Sequence, residues 1–388
     1  MFIAIGKVIH PNPIRNFTVK PLQVEKLHNI IRFLESLAPP SLQESYDNSG
    51  LIVGHPDWEI KGALICLDST EEVVDEAIRQ GCNLIIAHHP IVFSGLKHFN
   101  GKNYVERTII KAIKHDIAIY AIHTNLDNVA AGVNAEICSR LGLINTKILD
   151  PRKGQIKKLV TYCPIPDADK VRDSLFAAGA GHIGNYDECS FNLVGEGTFR
   201  PMIGADPKVG QIGNRHSGNE IRIETIFPQY LEKQVLAALF SAHPYEEVAY
   251  ELFITENQHQ NIGSGMVGNL SEPMSTIDFM KFAKETFGVK TLRHTAIIKD
   301  SISRVAVCGG SGSFLLPQSI ASGADVFITA DYKYHQFFDA DGKIIILDLG
   351  HFESEQFTKD LLYRELSAKF TTFALRLSGI DTNPVKYF

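Results

Sequence analysis

The sequence of 388 residues lacks several features that would place it in a particular class. It has no apolar run of the roughly 20 residues that a membrane-spanning helix needs, which argues against an integral membrane protein. Its six cysteines are scattered without a CxxC pair, so neither a disulfide framework nor a cysteine-rich zinc site is expected. The run Phe2-Ile3-Ala4-Ile5 is too short for a signal peptide. We therefore expect a cytoplasmic protein with reduced thiols.

Two common catalytic signatures are also missing. The sequence contains no GxxxxGK[ST] loop for nucleotide phosphates and no GxSxG elbow for a serine nucleophile. Its formal net charge of -6 disfavours broad binding to nucleic acid or to acidic membranes. A hydrophobic content of 44% and a charged content of 21% are typical of a soluble globular protein.

Residues 22–151 alternate helix and strand patterns, which predicts βαβ units and a largely parallel sheet. Helices are expected at 24–37, 71–80, 104–114 and 133–141, and strands at 63–67, 84–87 and 117–122. Residues 263–388 repeat this theme, with strands at 304–307, 325–329 and 343–347 and helices at 313–322 and 356–369. Residues 81–87 align with residues 323–329, so we predict two related α/β lobes whose strand ends face one cleft.

The pattern changes between the lobes, at residues 152–262. Strands are expected at 158–163, 191–195, 221–227 and 248–254, with helices at 167–178 and 229–241. This βαββαβ order is the ferredoxin-like signature and predicts an α+β domain inserted between the lobes. The polar residues 255–260 and the glycine-rich residues 263–265 predict an exit linker. Residues 1–21 form an N-terminal extension.

The most informative feature is His88-His89, which follows the apolar strand predicted at 84–87. Neighbouring side chains on a strand point to opposite faces, so both can serve one site only if they approach it from different directions or the backbone turns there. Pro90 favours a turn. Ligands of open α/β sheets bind at the carboxyl ends of strands, where these histidines lie. Two partly exposed loop histidines are the alternative.

Other potential metal ligands follow neighbouring strands. Asp127 lies just beyond the third strand of the first lobe, while His351 and Glu355 lie beyond the matching strand of the second lobe. The spacing of four places His351 and Glu355 on one face if the helix has begun there. Imidazoles with carboxylates suit zinc, iron or manganese. Five ligands exceed one tetrahedral site and fit two divalent ions that share a carboxylate.

Five sequence runs together resemble the Nif-three-like family, the GTP cyclohydrolase 1 type 2 homologues. They extend over both lobes in order and lie at 46–54, 87–93, 123–127, 328–335 and 349–355. The resemblance implies a dinuclear metal site at His88, His89, Asp127, His351 and Glu355, with Glu355 as the bridge. It also implies a toroidal homohexamer and, from the run at 242–250, a PII/CutA-like insert.

Three further residues are candidates for catalysis. Lys333 and His335 follow the central strand of the second lobe and are expected to reach the cleft, where they would bind substrate phosphate or move a proton. A surface lysine and a packed histidine are equally compatible with the sequence. His123 is a candidate acid or base, or a structural residue at a strand end. The glycine-rich residues 309–313 would either hold an anion with their amides or form a tight turn.

Two functions are compatible with these patterns. The first is a metal-dependent hydrolase that activates water against a nucleotide or another phosphorylated heterocycle, in which Lys333, His335 or His123 would orient the substrate. The second is a non-enzymatic metal-binding or regulatory hexamer whose insert senses a ligand. A nucleic-acid-handling ring is disfavoured by the acidic charge balance.

Overall fold

The computed structural model describes residues 23–388, so the predicted N-terminal extension and the Phe2-Ile5 run lie outside the described residues. The first part of the chain alternates short strands and helices, as its pattern predicts. Its elements are β1 (Glu25–Lys26), α1 (Leu27–Leu37), β2 (Gly50–Val53), β3 (Glu59–Ile60), β4 (Gly62–Cys66), α2 (Glu71–Arg79), β5 (Leu84–Ala87), α3 (Tyr104–Lys114), β6 (Ala118–Ala121), α4 (Thr124–Asp127), α5 (Val133–Arg140) and β7 (Ile144–Pro151).

The middle and last parts of the chain carry longer strands. The middle part contains β8 (Ile156–Pro164), α6 (Ala168–Ala177), β9 (Ser190–Phe199), β10 (His216–Pro228), α7 (Glu232–Ala242) and β11 (Tyr250–Ile254). The last part contains β12 (Gly263–Ser275), α8 (Thr276–Phe287), β13 (Arg293–His294), β14 (Ser301–Ser311), α9 (Leu316–Ala321), β15 (Val326–Ala330), β16 (Ile345–Asp348), α10 (His351–Glu355), α11 (Thr358–Lys369) and β17 (Ala374–Leu377). Among residues 23–388, no helix is long and apolar enough to cross a membrane.

The first large sheet is largely parallel, as predicted. Its strand order is β17-β4-β5-β6-β2, and only β2 runs antiparallel to its neighbour. All residues of β4, β5 and β6 are buried, which explains their short, wholly apolar sequences. Local signals fix the helices between them: the Thr70 side chain accepts a hydrogen bond from the Val73 amide at the start of α2, and Asn103 caps α3 in the same way.

The second large sheet is mixed, which corrects the expectation of a largely parallel sheet. Its order is β13-β16-β15-β14-β12-β7, and only β14, β15 and β16 pair in parallel. The strands β7 and β12 are antiparallel, with Pro151 opposite Gly263. The physical reason is that the chain leaves this sheet at the end of β7 and re-enters beside the same point at β12. Two strands that end and begin at the same place in a sheet must run in opposite directions.

The glycine-rich segment at 263–265 is the start of β12 and is not a linker, which is a second correction. A Cβ atom on Gly265, whose φ is +63°, would meet the side chain of Leu315 and the carbonyl oxygen of Val307 at 2.7 and 2.9 Å. The glycine is therefore required by close packing rather than by flexibility.

Some strands join a sheet built mainly from a distant part of the chain. The strand β7 lies in the second sheet, and β17, near the end of the described chain, pairs with β4 in the first. The domain boundaries predicted after residues 151 and 262 therefore remain predictions. The middle segment forms a separate antiparallel sheet of order β11-β8-β10-β9.

One hydrophobic cluster joins the two large sheets. It contains Ile86 from β5, Ile137 from α5, Val307 from β14, Leu347 from β16 and Leu361 from α11, all at most 3% exposed. Because α5 and α11 contact strands and each other within this cluster, the two sheets share a core. A shared core fixes the strand ends of one sheet relative to those of the other.

The helix α8, which the sequence pattern does not predict, contributes Phe279 to this core with no exposed surface. We expect Phe279→Ala to lower the free energy of unfolding by about 3–5 kcal/mol, because it leaves a cavity that the core cannot fill. Ile277→Ala on the same helix is the matched control, since Ile277 is 51% exposed; it should cost less than about 1 kcal/mol. Urea denaturation followed by circular dichroism measures both. Equal losses would contradict the assignment of Phe279 to the core.

Candidate metal centre

His88 and His89 lie where the chain leaves β5. The His88 amide donates to Cys66 O at 3.2 Å and the His89 amide to Leu67 O at 2.9 Å, so the sheet still holds the backbone as it bends. The bend brings both rings to one side, with centroids 4.9 Å apart. Of the two arrangements that the sequence allows, the structure has the backbone turn.

His123 and Asp127 follow the neighbouring strand β6. His123 immediately precedes the single turn of α4, and Asp127 is its last residue. The parallel pairing of β5 with β6 brings their carboxyl ends to one edge of the sheet. His123 and Asp127 are therefore placed beside His88 and His89.

His351 and Glu355 come from the second sheet. The predicted final helix is α11, and both residues lie in a separate short helix, α10, that precedes it. One helical turn separates the two side chains, so they share a face, and His351 Nε2 lies 3.1 Å from Glu355 Oε2. A Cβ atom on Gly310, whose φ is +61°, would collide with Glu355 Oε1, so glycine is required there for Glu355 to occupy its position.

The other four predicted ligands converge on the buried Glu355, which is 3% exposed. One carboxylate oxygen, Oε2, lies 2.9 Å from His89 Nε2 and 3.1 Å from His351 Nε2. The other, Oε1, lies 3.9 Å from His88 Nε2, which is itself 3.7 Å from Asp127 Oδ1. Two triplets able to hold a metal ion therefore share Glu355, one with His88 and Asp127 and the other with His89 and His351.

A second layer of acceptors orients every imidazole in this group. Each Nδ1 atom lies 2.7–2.8 Å from an oxygen, which fixes the ring and, in the neutral ring, leaves the Nε2 lone pair free. Metal-binding histidines typically have such partners. The pairs are His88 with Ile122 O, His89 with Asp68, His123 with Asp47, and His351 with Asp331.

Two buried atoms at the centre have no hydrogen-bond partner. They are His88 Nε2 and Asp127 Oδ1, which belong to the same triplet. Buried polar atoms in native proteins are normally satisfied, so an orphaned pair needs a partner of another kind. Two acceptor atoms that face each other, here His88 Nε2 and Asp127 Oδ1, cannot form a hydrogen bond. A cation between them would interact with both. The donor set therefore fits a metal ion.

The electrostatics of the centre also favour cations. Burial lowers the pKa of His89, but hydrogen bonds to Asp68 and Glu355 outweigh it and raise that pKa to about 9. Burial opposes the charged form of His351 as well, yet Glu355 and Asp331 raise its pKa to about 11. Burial raises the pKa of Asp127, and Glu355 adds to the shift. The carboxylates hold protons on the imidazoles, which a metal ion would have to displace.

The centre opens into a cavity of about 840 Å³ between the two large sheets. Exposed aromatic side chains, 49–64% accessible, line it. Arg293 is the one lysine or arginine among the described lining residues, and its guanidinium pairs with the Asp348 carboxylate. These exposed aromatic residues are Tyr46, Phe93, Phe314 and Tyr387.

Lys333 and His335 are not brought to this cavity, contrary to the expectation that they reach the cleft. The chain turns at Asp331, whose φ of 59° is in the left-handed region, and a 3-10 helix (Tyr334–Ala340) carries the following residues away. Both side chains are exposed, and His335 stacks on Phe338. The end of a strand was visible in the sequence, but the direction of the loop after it was not.

The glycine amides of the run at 309–313 are not free to bind an anion. The amides of Gly309, Gly310 and Gly312 donate to the side chains of Asn134, Ser354 and Thr329 at 3.0 Å. Of the two alternatives for this run, the structure supports the tight backbone conformation, since Gly310 has a φ of +61°.

Sequence reasoning missed the carboxylates that orient the histidines. Asp68 lies two residues beyond β4 and Asp331 one residue beyond β15. Asp47 has a fully buried side chain that accepts hydrogen bonds from His123, Ser49 and Thr124. The signal was the position of Asp68 and Asp331 at carboxyl ends of parallel strands, the same rule that identified His88.

The comparisons with known proteins agree with this architecture. The chain is 38% identical over 372 residues to a "GTP cyclohydrolase 1 type 2 homolog" of Halalkalibacterium halodurans, covering 94% of this chain and all of that protein. A protein of Bacillus subtilis with the same name is 38% identical over 364 residues, covering 92% of this chain and 97% of its own.

A solved structure of a Bacillus cereus protein related to NIF3 superposes with a TM-score of 0.82 at 39% identity, covering 94% of this chain and 100% of that one. The Staphylococcus aureus protein SA1388 gives a TM-score of 0.74 at 29% identity, with coverage of 94% and 99%. The family model of Duf34/NIF3 (NGG1p interacting factor 3) matches residues 25–384. The chain therefore belongs to the Duf34/NIF3 family.

Proposed function

We propose that the chain binds two divalent metal ions and uses them to hydrolyse a nucleotide or another phosphorylated heterocycle. The observation that carries this proposal is the division of Glu355 between two triplets of ligands. His88 and Asp127 would hold one ion, His89 and His351 the other, and the two oxygens of Glu355 would bridge them. Zinc, iron and manganese all accept these ligands.

When bound, such ions supply Lewis acidity that makes water a better nucleophile near neutral pH and compensates negative charge on the substrate. The chain's own residues would do the rest. His123, held at Nδ1 by Asp47 at 2.8 Å, clusters with His88 and His89 and is placed to accept or return a proton. Arg293 would contact an anionic group in competition with its partner Asp348, and the exposed aromatic side chains can stack on a planar ring.

The names of the relatives support this substrate class, since GTP is a phosphorylated heterocycle. Nothing in the described lining of the cavity distinguishes GTP from other members of the class. A catalytic role for Lys333 and His335 stays a prediction, and it requires a second copy of the chain, or a movement, to bring them to the cavity.

Replacement of the bridging carboxylate tests the proposal. The unaltered protein should carry two divalent ions per chain, and Glu355→Gln should lose at least one, because an amide is a poor bridge between cations. Turnover on a panel of nucleotides and phosphoesters should fall by roughly 100-fold or more, since several kcal/mol of transition-state stabilisation depend on the ions. Elemental analysis and product assays measure the two effects. Glu365→Gln on the neighbouring helix α11 is the matched control and should change neither.

Two results would count against the enzyme. If Glu355→Gln leaves turnover unchanged, the metal centre does not take part in the reaction. Full metal occupancy with no turnover on the panel would favour the non-enzymatic metal-binding or regulatory alternative.

We further infer that the middle segment is the ferredoxin-like insert, with boundaries near residues 152 and 262. Its order β11-β8-β10-β9 places the fourth strand beside the first and the third between the first and the second, which is the ferredoxin-like arrangement. A hydrophobic cluster lies between this sheet and helices α6 and α7. The PII/CutA-like identity of the insert rests on the resemblance of residues 242–250.

We also infer that the chain assembles as a homohexamer, which rests on the family resemblance. The edge strand β9 supports self-association, because its side chains at Phe191, Leu193 and Val194 are 63%, 47% and 67% exposed. An exposed apolar edge strand is normally covered in a stable protein.

Light scattering coupled to size exclusion should therefore give a particle of six chains. Val194→Lys should shift this particle toward smaller species, whereas Lys147→Gln on the edge strand β7 adds no apolar surface and should not. A monomer for the unaltered protein would refute the assembly.

A further inference from the structure

The segment after β17, residues 378–388, here called the C-terminal strap, begins at a buried anchor. The Ser378 hydroxyl and the Gly379 amide donate to the two carboxylate oxygens of Glu76 at 2.5 and 3.0 Å. The Ser378 amide continues the sheet by donating to Ile65 O at 2.8 Å. Both Ser378 and Glu76 are buried, at 5% and 7% exposed. The strap is therefore fixed to the first sheet before it reaches the metal centre.

Beyond this anchor the strap contacts both halves of the centre. The Thr382 hydroxyl donates to Asp68 Oδ2 at 2.6 Å, while Asp68 Oδ1 accepts from His89 Nδ1 at 2.7 Å. The next residue, Asn383, donates to Glu353 Oε1 at 2.9 Å. Glu353 lies in α10 between His351 and Glu355. Two consecutive strap residues thus connect a histidine of the first sheet to the helix that carries the ligands of the second.

The strap also forms part of the cavity wall. Asn383, Pro384, Val385 and Tyr387 all line the cavity above the centre. A change in the position of the strap would therefore alter the cavity and the orientation of His89 together.

We propose that the C-terminal strap is a positioning element of the metal centre, in which Thr382 holds the Asp68 carboxylate so that Asp68 holds the His89 ring. This inference rests on the proposed function, because it takes His89 to be a ligand. A carboxylate with a separate donor on each oxygen cannot rotate without breaking one hydrogen bond. Without Thr382, Asp68 can rotate, and His89 loses a fixed acceptor at Nδ1. Metal binding should in turn order the strap, because such coupling is reciprocal.

The test measures metal affinity by competition with a chelator, using Zn²⁺ and the full chain. Asp68→Asn should weaken binding by about 10- to 100-fold, as is typical for direct partners of metal-binding histidines. Thr382→Val keeps the shape of the side chain but lacks the hydroxyl, and should weaken binding by about 3- to 10-fold through the loss of one hydrogen bond. Thr382→Ser restores the hydroxyl and should bind like the unaltered chain. In the Asp68→Asn background, Thr382→Val should have no further effect, because it acts through Asp68.

Hydrogen exchange on the unaltered chain gives a second measurement that does not depend on the folding of a variant. Addition of Zn²⁺ should slow exchange at the strap amides, including Gly379. Unchanged exchange, equal affinities of Thr382→Val and Thr382→Ser, or a full additional loss in the Asp68→Asn background would each overturn the strap proposal while leaving the metal centre in place. A chain that binds no Zn²⁺ at all would overturn both.

Discussion

A buried carboxylate beside a second carboxylate is unstable unless positive charge on the surrounding imidazoles or on bound cations compensates it. Glu355 is nearly inaccessible to water, yet three Nε2 atoms and the carboxylate of Asp127 lie around it. Because each of these three histidines is held at Nδ1 by an oxygen, none can turn its Nε2 atom away without losing a hydrogen bond. Burying such a set without a counter-charge costs several kcal/mol per ion. Protons on the imidazoles compensate part of this cost, and metal ions would displace them and bind the Nε2 atoms instead.

The rest of the fold serves to hold these groups together. The first sheet supplies His88, His89 and Asp127, and the second sheet carries α10 with His351 and Glu355. Neither set forms a complete centre alone. The common core around α5 and α11 fixes one sheet against the other, so the distances across the centre depend on packing far from it. Gly310 contributes directly, because any larger residue would displace Glu355.

Much of this arrangement can be read from the sequence. The strand ends that carry His88, Asp127 and His351 are visible because each follows a short apolar run, and parallel strands bring such ends to one rim. Other features depend on contacts that local patterns do not encode. The start of β12 resembles a linker in the sequence, because glycines that close packing requires look like glycines that give flexibility. A positive φ at Asp331 redirects the chain, so that Lys333 and His335 lie away from the cavity. The hydrogen bond between Thr382 and Asp68 joins residues 314 positions apart, which only the finished fold brings together.

The central claim is that Glu355 bridges two metal ions. Anomalous scattering at the absorption edges of zinc, iron and manganese, on crystals of the full chain as purified, tests it most directly. The account predicts two peaks about 3.5–4 Å apart on either side of Glu355. One peak should lie about 2.0–2.2 Å from His88 and Asp127 ligand atoms, and the other at the same distance from His89 and His351. A single peak, or none within that distance of Glu355 in metal-supplemented crystals, would contradict the account.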